Sequence, residues 1–397
     1  MQSEPITFFK RAPASPSRHR QAITPHQVKL LILQPTPFCN LDCSYCYLPD
    51  RSDKRRMALE TVDAVGREVL ARGLTAPELT VIWHAGEPLV VPIDWYQQAF
   101  SVLAAHGLSR VKLTHAFQTN GTLIDTQWVE FFRQHQARVG ISIDGPKAVH
   151  DERRRGRSGQ GSFEQGMRGL RRVREAGLPF HVISVLSARS LRMADELFDF
   201  YAAEGIRHIC FNVEEIEGPH VASSMAGKAR EADFAAFLRR FIQRCSAMAD
   251  PPWVRELAGA VSSLMAPADL KGDNAQVQTL AMLSVGVDGA LSTFSPELPG
   301  ARAPAYDDFN FGNIHTGGIS GMLEAESLRG AAADIASGVA ACERECRWFQ
   351  WCGGGAPANK WFETGDLKAT ETLYCRLTRK VLLETVLDEL EAGHCRG

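Results

Sequence analysis

At 397 residues the chain is long enough for one barrel-sized domain and a smaller one. Its 44 Lys and Arg nearly balance 46 Asp and Glu, so no basic footprint argues for nucleic acid or an anionic membrane surface. No apolar run approaches the ~20 residues needed to span a bilayer, and ten cysteines without a secretory apolar segment point to reduced thiols, metal and the cytoplasm rather than disulfides.

Residues 1–27, with Pro5, Pro13, Pro16 and Pro25 among Arg11, Arg18 and Arg20, read as a flexible N-terminal arm. From residue 28 short apolar runs alternate with longer amphipathic stretches. Strands are expected at Val28–Leu33, Leu79–His84, Lys112–Gln118, Arg138–Ile143, Phe180–Leu186 and His208–Val213. Helices are expected at Ala58–Ala71, Asp94–Ala105, Asp125–Gln134, Ser162–Ala176 and Met193–Glu204. Right-handed crossovers curl such units into a partial (β/α)6 barrel, an α/β fold over 28–215 with ligands at the C-terminal ends of the strands. Residues 216–282 read as a helical bridging region, with a helix over Glu231–Met248. Residues 283–397 read as a cysteine-rich domain opening on a hairpin, Leu283–Thr293, that turns at Asp288-Gly289.

The run Cys39-Asn-Leu-Asp-Cys43-Ser-Tyr45-Cys46 follows strand one. Three thiolates at C-x3-C-x2-C spacing can hold three irons of a [4Fe-4S] cluster and leave the fourth open. A three-cysteine zinc site needs a fourth ligand, and no histidine lies within a turn or two of Cys46. Strand two ends in Trp83-His84-Ala85-Gly86-Glu87-Pro88, where a glycine lets carbonyls approach a ligand and Glu87 can accept a hydrogen bond from an ammonium group. Strand four ends in Ile141-Ser142-Ile143-Asp144-Gly145; by residue type Ser142 and Asp144 suit a turn or cap, by position a ligand contact. The charged run Arg153–Arg157 reads as a solvated loop apart from Arg154. His84 and Tyr47 suit packing, and Glu214 and Glu215 either face a substrate or cap the next turn. A second set, Cys342, Cys346, Cys352 and Cys375, satisfies a saturated [4Fe-4S] cluster or a structural zinc ion equally well by spacing. Cys210, Cys245 and Cys395 are read as structural or incidental.

The first cysteine motif, with Tyr45 before its third thiol, resembles the radical S-adenosylmethionine (radical SAM) superfamily. The resemblance implies that the open iron chelates SAM and that a reducing electron yields a 5′-deoxyadenosyl radical. It places Tyr45 in the cofactor site, the SAM amino group at Gly86 and Glu87, the ribose at Ser142 and Asp144, and the SAM carboxylate at Arg154. Ala85 stands where the superfamily's Gly-Gly-Glu-Pro motif usually has its first glycine. The second cysteine set resembles the SPASM domain of peptide-modifying members, in which a full set of cysteines holds two extra clusters. Phe294 and Ala356 stand where two of those cysteines are expected, and none precedes Gly289 in that stretch, so one auxiliary [4Fe-4S] cluster is implied, two clusters in all.

The segments Gln34-Pro-Thr-Pro-Phe-Cys39, Trp83-His-Ala-Gly-Glu-Pro88, Phe294-Ser-Pro-Glu-Leu298, Cys352-Gly-Gly-Gly-Ala-Pro-Ala-Asn-Lys360 and Thr370-Glu-Thr-Leu-Tyr-Cys375 look like cyclophane-forming maturases of the Grr type. That resemblance implies a glycine-rich repeat precursor peptide as substrate and an external electron donor such as flavodoxin or ferredoxin, while the charge balance and the lack of a long apolar run argue against a nucleic-acid or membrane partner. It further implies a carbon–carbon bond between an aromatic ring and the β-carbon of a residue two positions along. Glu297 is then a candidate acceptor for the proton lost when the ring regains aromaticity. Thioether formation and sulfatase-type formylglycine formation keep the same barrel and clusters, whereas a zinc-containing peptide-binding protein without catalysis is the alternative of another class.

Overall fold

The computed structural model describes residues 26–107, 111–267 and 272–394. The N-terminal arm up to residue 25 and Cys395 lie outside the described residues. His26 already donates its backbone N–H to Thr279 O at 3.0 Å, directly ahead of strand one.

Six strands run in sequence order and in parallel: β1 (Val28–Leu33), β2 (Thr75–Trp83), β3 (Lys112–Thr119), β4 (Arg138–Ser142), β5 (Phe180–Leu186) and β6 (His208–Val213). Every strand read from the sequence is present, and β2 alone starts well before its expected first residue. This succession of strand, helix and parallel strand is the partial (β/α)6 barrel. Its strands read as apolar runs because they are covered on both faces: Val28, Leu31, Val81, Trp83, Val139, Ile141, Val182 and Ile209 are all fully buried.

Four further strands extend the sheet. β7 (Trp253–Val254) pairs with β6, and β8 (Met282–Val285) pairs in parallel with β1, from Leu30↔Met282 to Leu33↔Val285. β9 (Ala290–Thr293) returns antiparallel to β8 through Asp288-Gly289, completing the expected hairpin, and β10 (Gly312–Asn313) pairs with β9. The sheet order is therefore β10-β9-β8-β1-β2-β3-β4-β5-β6-β7. One cluster of buried apolar side chains runs from Val28 in β1 to Val386 in the last helix, so the C-terminal segment shares the barrel's core.

The helices follow their apolar periodicity closely. Thr126–Gln134 starts at Asp125, whose carboxylate accepts the Trp128 N–H at 2.9 Å as an N-cap, and buries Trp128, Phe131 and Phe132. The expected helix over 58–71 is α-helical only over Leu59–Val65; Gly66–Ala71 continues as a π-helical turn. There Gly66 lies against His106, where a Cβ would stand 2.3 Å from the ring. The bridging stretch holds the helices Ala229–Ser246 and Arg255–Leu264. Because β1 to β6 are parallel, the segments that follow β1, β2, β3, β4 and β6 emerge at one rim.

Candidate active site

The three thiols Cys39, Cys43 and Cys46 lie in the loop after β1, and neighbouring segments hold that loop by its backbone. Asp42 N donates to Arg155 O at 2.7 Å and Ser44 N to Arg153 O at 3.0 Å, with a bridge between Leu41 and Gly156. Arg157 donates from Nε to Cys39 O at 2.8 Å and from Nη1 to Ser52 Oγ at 3.0 Å, also reaches Arg51 O, and stands over the Phe38 ring. Arg153 bonds Glu214 Oε1 at 2.9 Å. The run Arg153–Arg157 is exposed at Arg155 and Arg157, as expected of a charged loop, yet its backbone and the Arg157 guanidinium also strap the thiol loop.

Tyr45, Asp144 and Arg154 meet in one buried group. Asp144 Oδ2 accepts from Tyr45 OH at 2.6 Å and from Arg154 Nε at 3.0 Å, while Oδ1 accepts from Val185 N at 3.1 Å. The Arg154 guanidinium carbon stands 5.3 Å from the centre of the Tyr45 ring. Side-chain exposure is 8% for Arg154 and 2% for Asp144, so each charge depends on the other. Ser142 Oγ accepts from Gln118 Nε2 at 3.1 Å on the same rim.

Gly86 has φ +55°, and a Cβ there would lie 2.4 Å from Phe38 O and 2.6 Å from Thr36 O, so this turn against the thiol loop requires glycine. Glu87 is buried and faces inward, accepting from Thr119 Oγ1 at 2.6 Å, Asn120 N at 2.8 Å and Leu89 N at 3.0 Å. Burial raises its carboxyl to about 7 against those three bonds. Three of its roughly four acceptor sites are occupied within the protein, leaving little for an external ammonium. Asn120, which the sequence reading did not select, reaches Cys39 Sγ at 3.9 Å and Asn40 Oδ1 at 2.8 Å. Its signal was its position, directly after a barrel strand.

Burial pushes the Cys39 thiol up to about 12, helped by Glu87, and the Cys43 thiol up to about 11, opposed by Arg154. Thiolates at this depth need a cationic partner, which iron supplies, so the donor set fits a cluster. By donor type the second set fits as well: Cys342, Cys346, Cys352 and Cys375 line one pocket together with Lys360. Among the described residues no three His, Cys, Asp or Glu side chains gather on a single-ion site. By residue type the four thiols suit a saturated four-iron cluster or a structural zinc ion. Phe294 and Ala356, where further ligands were sought, are buried apolar residues. Cys210 is buried in β6 and Cys245 lies half-buried on a helix, as expected of structural thiols.

Glu214 and Glu215 differ. Glu214 is buried, bonded to Arg153 and to Ser224 N at 3.0 Å, and 3.2 Å from His220, so it braces the strap. Glu215 is half-buried and faces Glu217, Glu297 and Glu363, with Asn359 Nδ2 donating to its Oε2 at 2.6 Å. Burial and mutual repulsion raise these carboxyls, Glu215 to about 7; Glu297 is raised by burial against a hydrogen bond from Ser295. Tyr47, whose OH bonds His84 Nε2 at 2.9 Å, feels both Glu297 and Glu217, so the carboxylates border the thiol loop.

A model of the radical SAM superfamily matches residues 33–201. An uncharacterized protein of Synechocystis sp. is 36% identical over 91% of this chain and 92% of its own. The serine-type anaerobic sulfatase-maturating enzyme of Bacteroides thetaiotaomicron is 27% identical over 83% of this chain and 82% of its own. Among solved structures, anSMEcpe with bound AdoMet and a peptide superposes with TM-score 0.73 at 19% identity, over 92% of this chain and 98% of the other. SuiB of Streptococcus suis bound to precursor peptide SuiA superposes with TM-score 0.61 at 14% identity, over 87% and 76%. No helix among the described residues is long and apolar enough to cross a membrane.

Two outcomes follow from this geometry. Asp144→Ala strands the buried Arg154 charge and is expected to cost about 3–5 kcal/mol in urea unfolding of the apoprotein, whereas Tyr45→Phe, which spares the ion pair, costs about 1 kcal/mol. Because Glu215 sits at about 7 in the fold against an ordinary 4.5, its neutral form is the one the fold favours. That stabilisation is full below pH 4.5 and lost as the pH rises through about 7. The melting temperature of Glu215→Gln should accordingly fall less than the parent's from about pH 4.5 to pH 7.

Proposed function

The chain belongs to the radical SAM superfamily and is an enzyme, and from that premise we propose that it is a peptide maturase that closes cyclophane crosslinks in a ribosomally made glycine-rich repeat peptide. The observation that carries the maturase reading is the end-to-end likeness to anSMEcpe, whose structure holds AdoMet and a peptide. SuiB with its precursor peptide supports it in the same way. The cyclophane step rests on the segments around Cys39, Trp83, Phe294, Cys352 and Thr370.

In this reading Cys39, Cys43 and Cys46 hold a [4Fe-4S] cluster, and Cys342, Cys346, Cys352 and Cys375 hold a second. Cluster and SAM together supply hydrogen-atom abstraction from an unactivated carbon, which few side chains could initiate. The residues of the chain do the rest. Tyr45, Asp144 and Arg154 keep the thiol loop in one conformation, Gly86 leaves its backbone open to a ligand, and Ser142 offers a hydroxyl at the same rim. Crosslinking removes one hydrogen from the β-carbon and one from the ring and forms one carbon–carbon bond. The first hydrogen leaves as an atom, and the second leaves as a proton and an electron. In this reading Glu297, with Glu215 and Glu217 beside it, takes the proton, since carboxyls raised toward neutrality accept one readily. A cluster held by Cys342, Cys346, Cys352 and Cys375, which neighbour these carboxylates through Asn359 and Tyr374, would supply an acceptor for the electron.

A second reading, formylglycine formation, is favoured by the name of the Bacteroides relative. Both products are about 2 Da lighter than their substrates, since each loses two hydrogens. Only formylglycine forms an adduct with a hydrazine, and only a crosslink suppresses backbone fragmentation across three residues. Tandem mass spectrometry should show the suppressed fragments and no hydrazine adduct, and deuterium from the β-carbon should enter 5′-deoxyadenosine. A hydrazine adduct, or a link through sulfur or oxygen, would refute the cyclophane reading and leave the family intact.

Anaerobically reconstituted protein should hold about eight irons per chain, four for each thiol set. About twelve irons, or four irons and one zinc, would overturn the ligand assignment. Cys39→Ala should abolish SAM cleavage, and Cys375→Ala should lower crosslinking more than SAM cleavage, with soluble expression checked first because metal binding contributes folding energy.

A further inference from the structure

Lys360 is 4% exposed, although its ordinary state is a charged ammonium. It lies on the helix Pro357–Thr364, which begins directly after three consecutive glycines at 353, 354 and 355. Its Nζ stands 3.9 Å from Cys342 Sγ, and the residue lines the cavity shared by the four thiols. The chain makes room for it: a Cβ on Gly338 of the helix Glu326–Glu345 would lie 3.0 Å from the Lys360 Nζ, and one on Gly355 3.5 Å from its Cε. Among the described residues no carboxylate forms an ion pair with it; the one acidic residue lining the cavity, Glu371, is bonded to Lys380 and Arg376.

A buried ammonium without a carboxylate is costly, so the anion that balances it must lie in the cavity it faces. Two further cations bear on the same thiols, Arg379 on Cys352 and Cys375, and Lys380 on Cys375 and Cys346. Four thiolates around iron carry net negative charge, and one-electron reduction adds one more negative charge. A fixed cation beside a sulfur therefore favours the reduced form, and net charge and hydrogen bonds to sulfur are what tune such potentials.

We infer that Lys360 is a potential-setting residue: its ammonium, seated against Cys342, raises the reduction potential of the four-iron group held by Cys342, Cys346, Cys352 and Cys375. The inference rests on the cluster reading given above. It deepens that reading by making this site an electron acceptor, able to take the single electron that the product radical surrenders as its proton passes to the carboxylates. Lys360 acts through the thiolates and touches no substrate, so it positions charge and does not catalyse.

The test uses full-length protein with Cys39, Cys43 and Cys46 all replaced by Ala, which leaves one cluster site per chain. It is reconstituted anaerobically and titrated with dithionite under electron paramagnetic resonance. Lys360→Met should lower the reduced-to-oxidised ratio at the parent's midpoint about tenfold, the scale of one charge acting across several ångströms at an effective dielectric of about 20. For a one-electron couple that is a midpoint about 59 mV lower. Lys360→Arg, which keeps the charge, should stay within about twofold of the parent. Absence of iron from the triple variant would overturn the cluster reading itself. Four irons with an unchanged midpoint in Lys360→Met would overturn the role of Lys360 and leave the cluster standing. If Lys360→Met fails to hold iron, Lys360→Gln decides: a midpoint about 59 mV lower upholds the role of the charge, and a parent-like midpoint refutes it.

Discussion

Arg154 carries a full charge into a place where little water reaches it, and Asp144 is the reason it can. Desolvating either ion alone costs several kcal/mol, so the pair forms together or not at all, and Tyr45 from the thiol loop enters the same bond at 2.6 Å. One buried contact thereby joins the loop after β1 to the segment after β4. The strap from Arg153 to Arg157 continues from Arg154 and grips the loop by its backbone on either side. Gly86 and Glu87 close the third side, with Glu87 N donating to Phe38 O at 2.8 Å. The three thiols are thus fixed by contacts that do not involve sulfur, and a metal group meets a loop already shaped to receive it.

The six parallel strands were legible because strands buried on both faces must be apolar throughout, and the hairpin because Asp-Gly suits the positive φ its turn demands. The two-residue strands β7 and β10 were not legible, since their pairing is decided by what packs beside them and not by their own residues. The π-helical turn Gly66–Ala71, where Gly66 lies against His106 of a neighbouring helix, had no trace in the local pattern. The strap role of Arg153–Arg157 had no signal in the sequence: Arg155 and Arg157 stay exposed, as charged residues usually do, while the segment bonds the backbone of the thiol loop and Arg157 stands over Phe38. Glu214 and Glu215 are adjacent and alike in sequence, yet one braces the strap and the other faces the cleft, a difference set by the alternation of side chains along the chain. The cysteine sets were plain from spacing, whereas Asn120 and Lys360 gained meaning only from what they touch.

The two thiol sites differ in their electrostatic surroundings. Around Cys39 and Cys43 a carboxylate at Glu87 and a guanidinium at Arg154 act in opposition. Around the other four cysteines the fixed charges are mostly positive. The carboxylates of Glu215, Glu217, Glu297 and Glu363 lie between the two. The helix Pro357–Thr364 separates these territories, presenting Asn359 to the carboxylates and Lys360 to the thiols. The carboxylate group and the second thiol set are thus neighbours without sharing a pocket.

The pairing of β8 with β1 has a consequence for how the protein is made. Leu30 and Met282 are ladder partners, yet roughly 250 residues of chain lie between them, so at 5–20 residues per second the ribosome needs on the order of 10–50 s to deliver the second after the first. Throughout that interval the outer edge of β1 offers unpaired N–H and C=O groups beside three reactive thiols, a template for association with other nascent chains. The barrel half can gather its helices early, but its first strand is sealed only once β8 has emerged to pair with it.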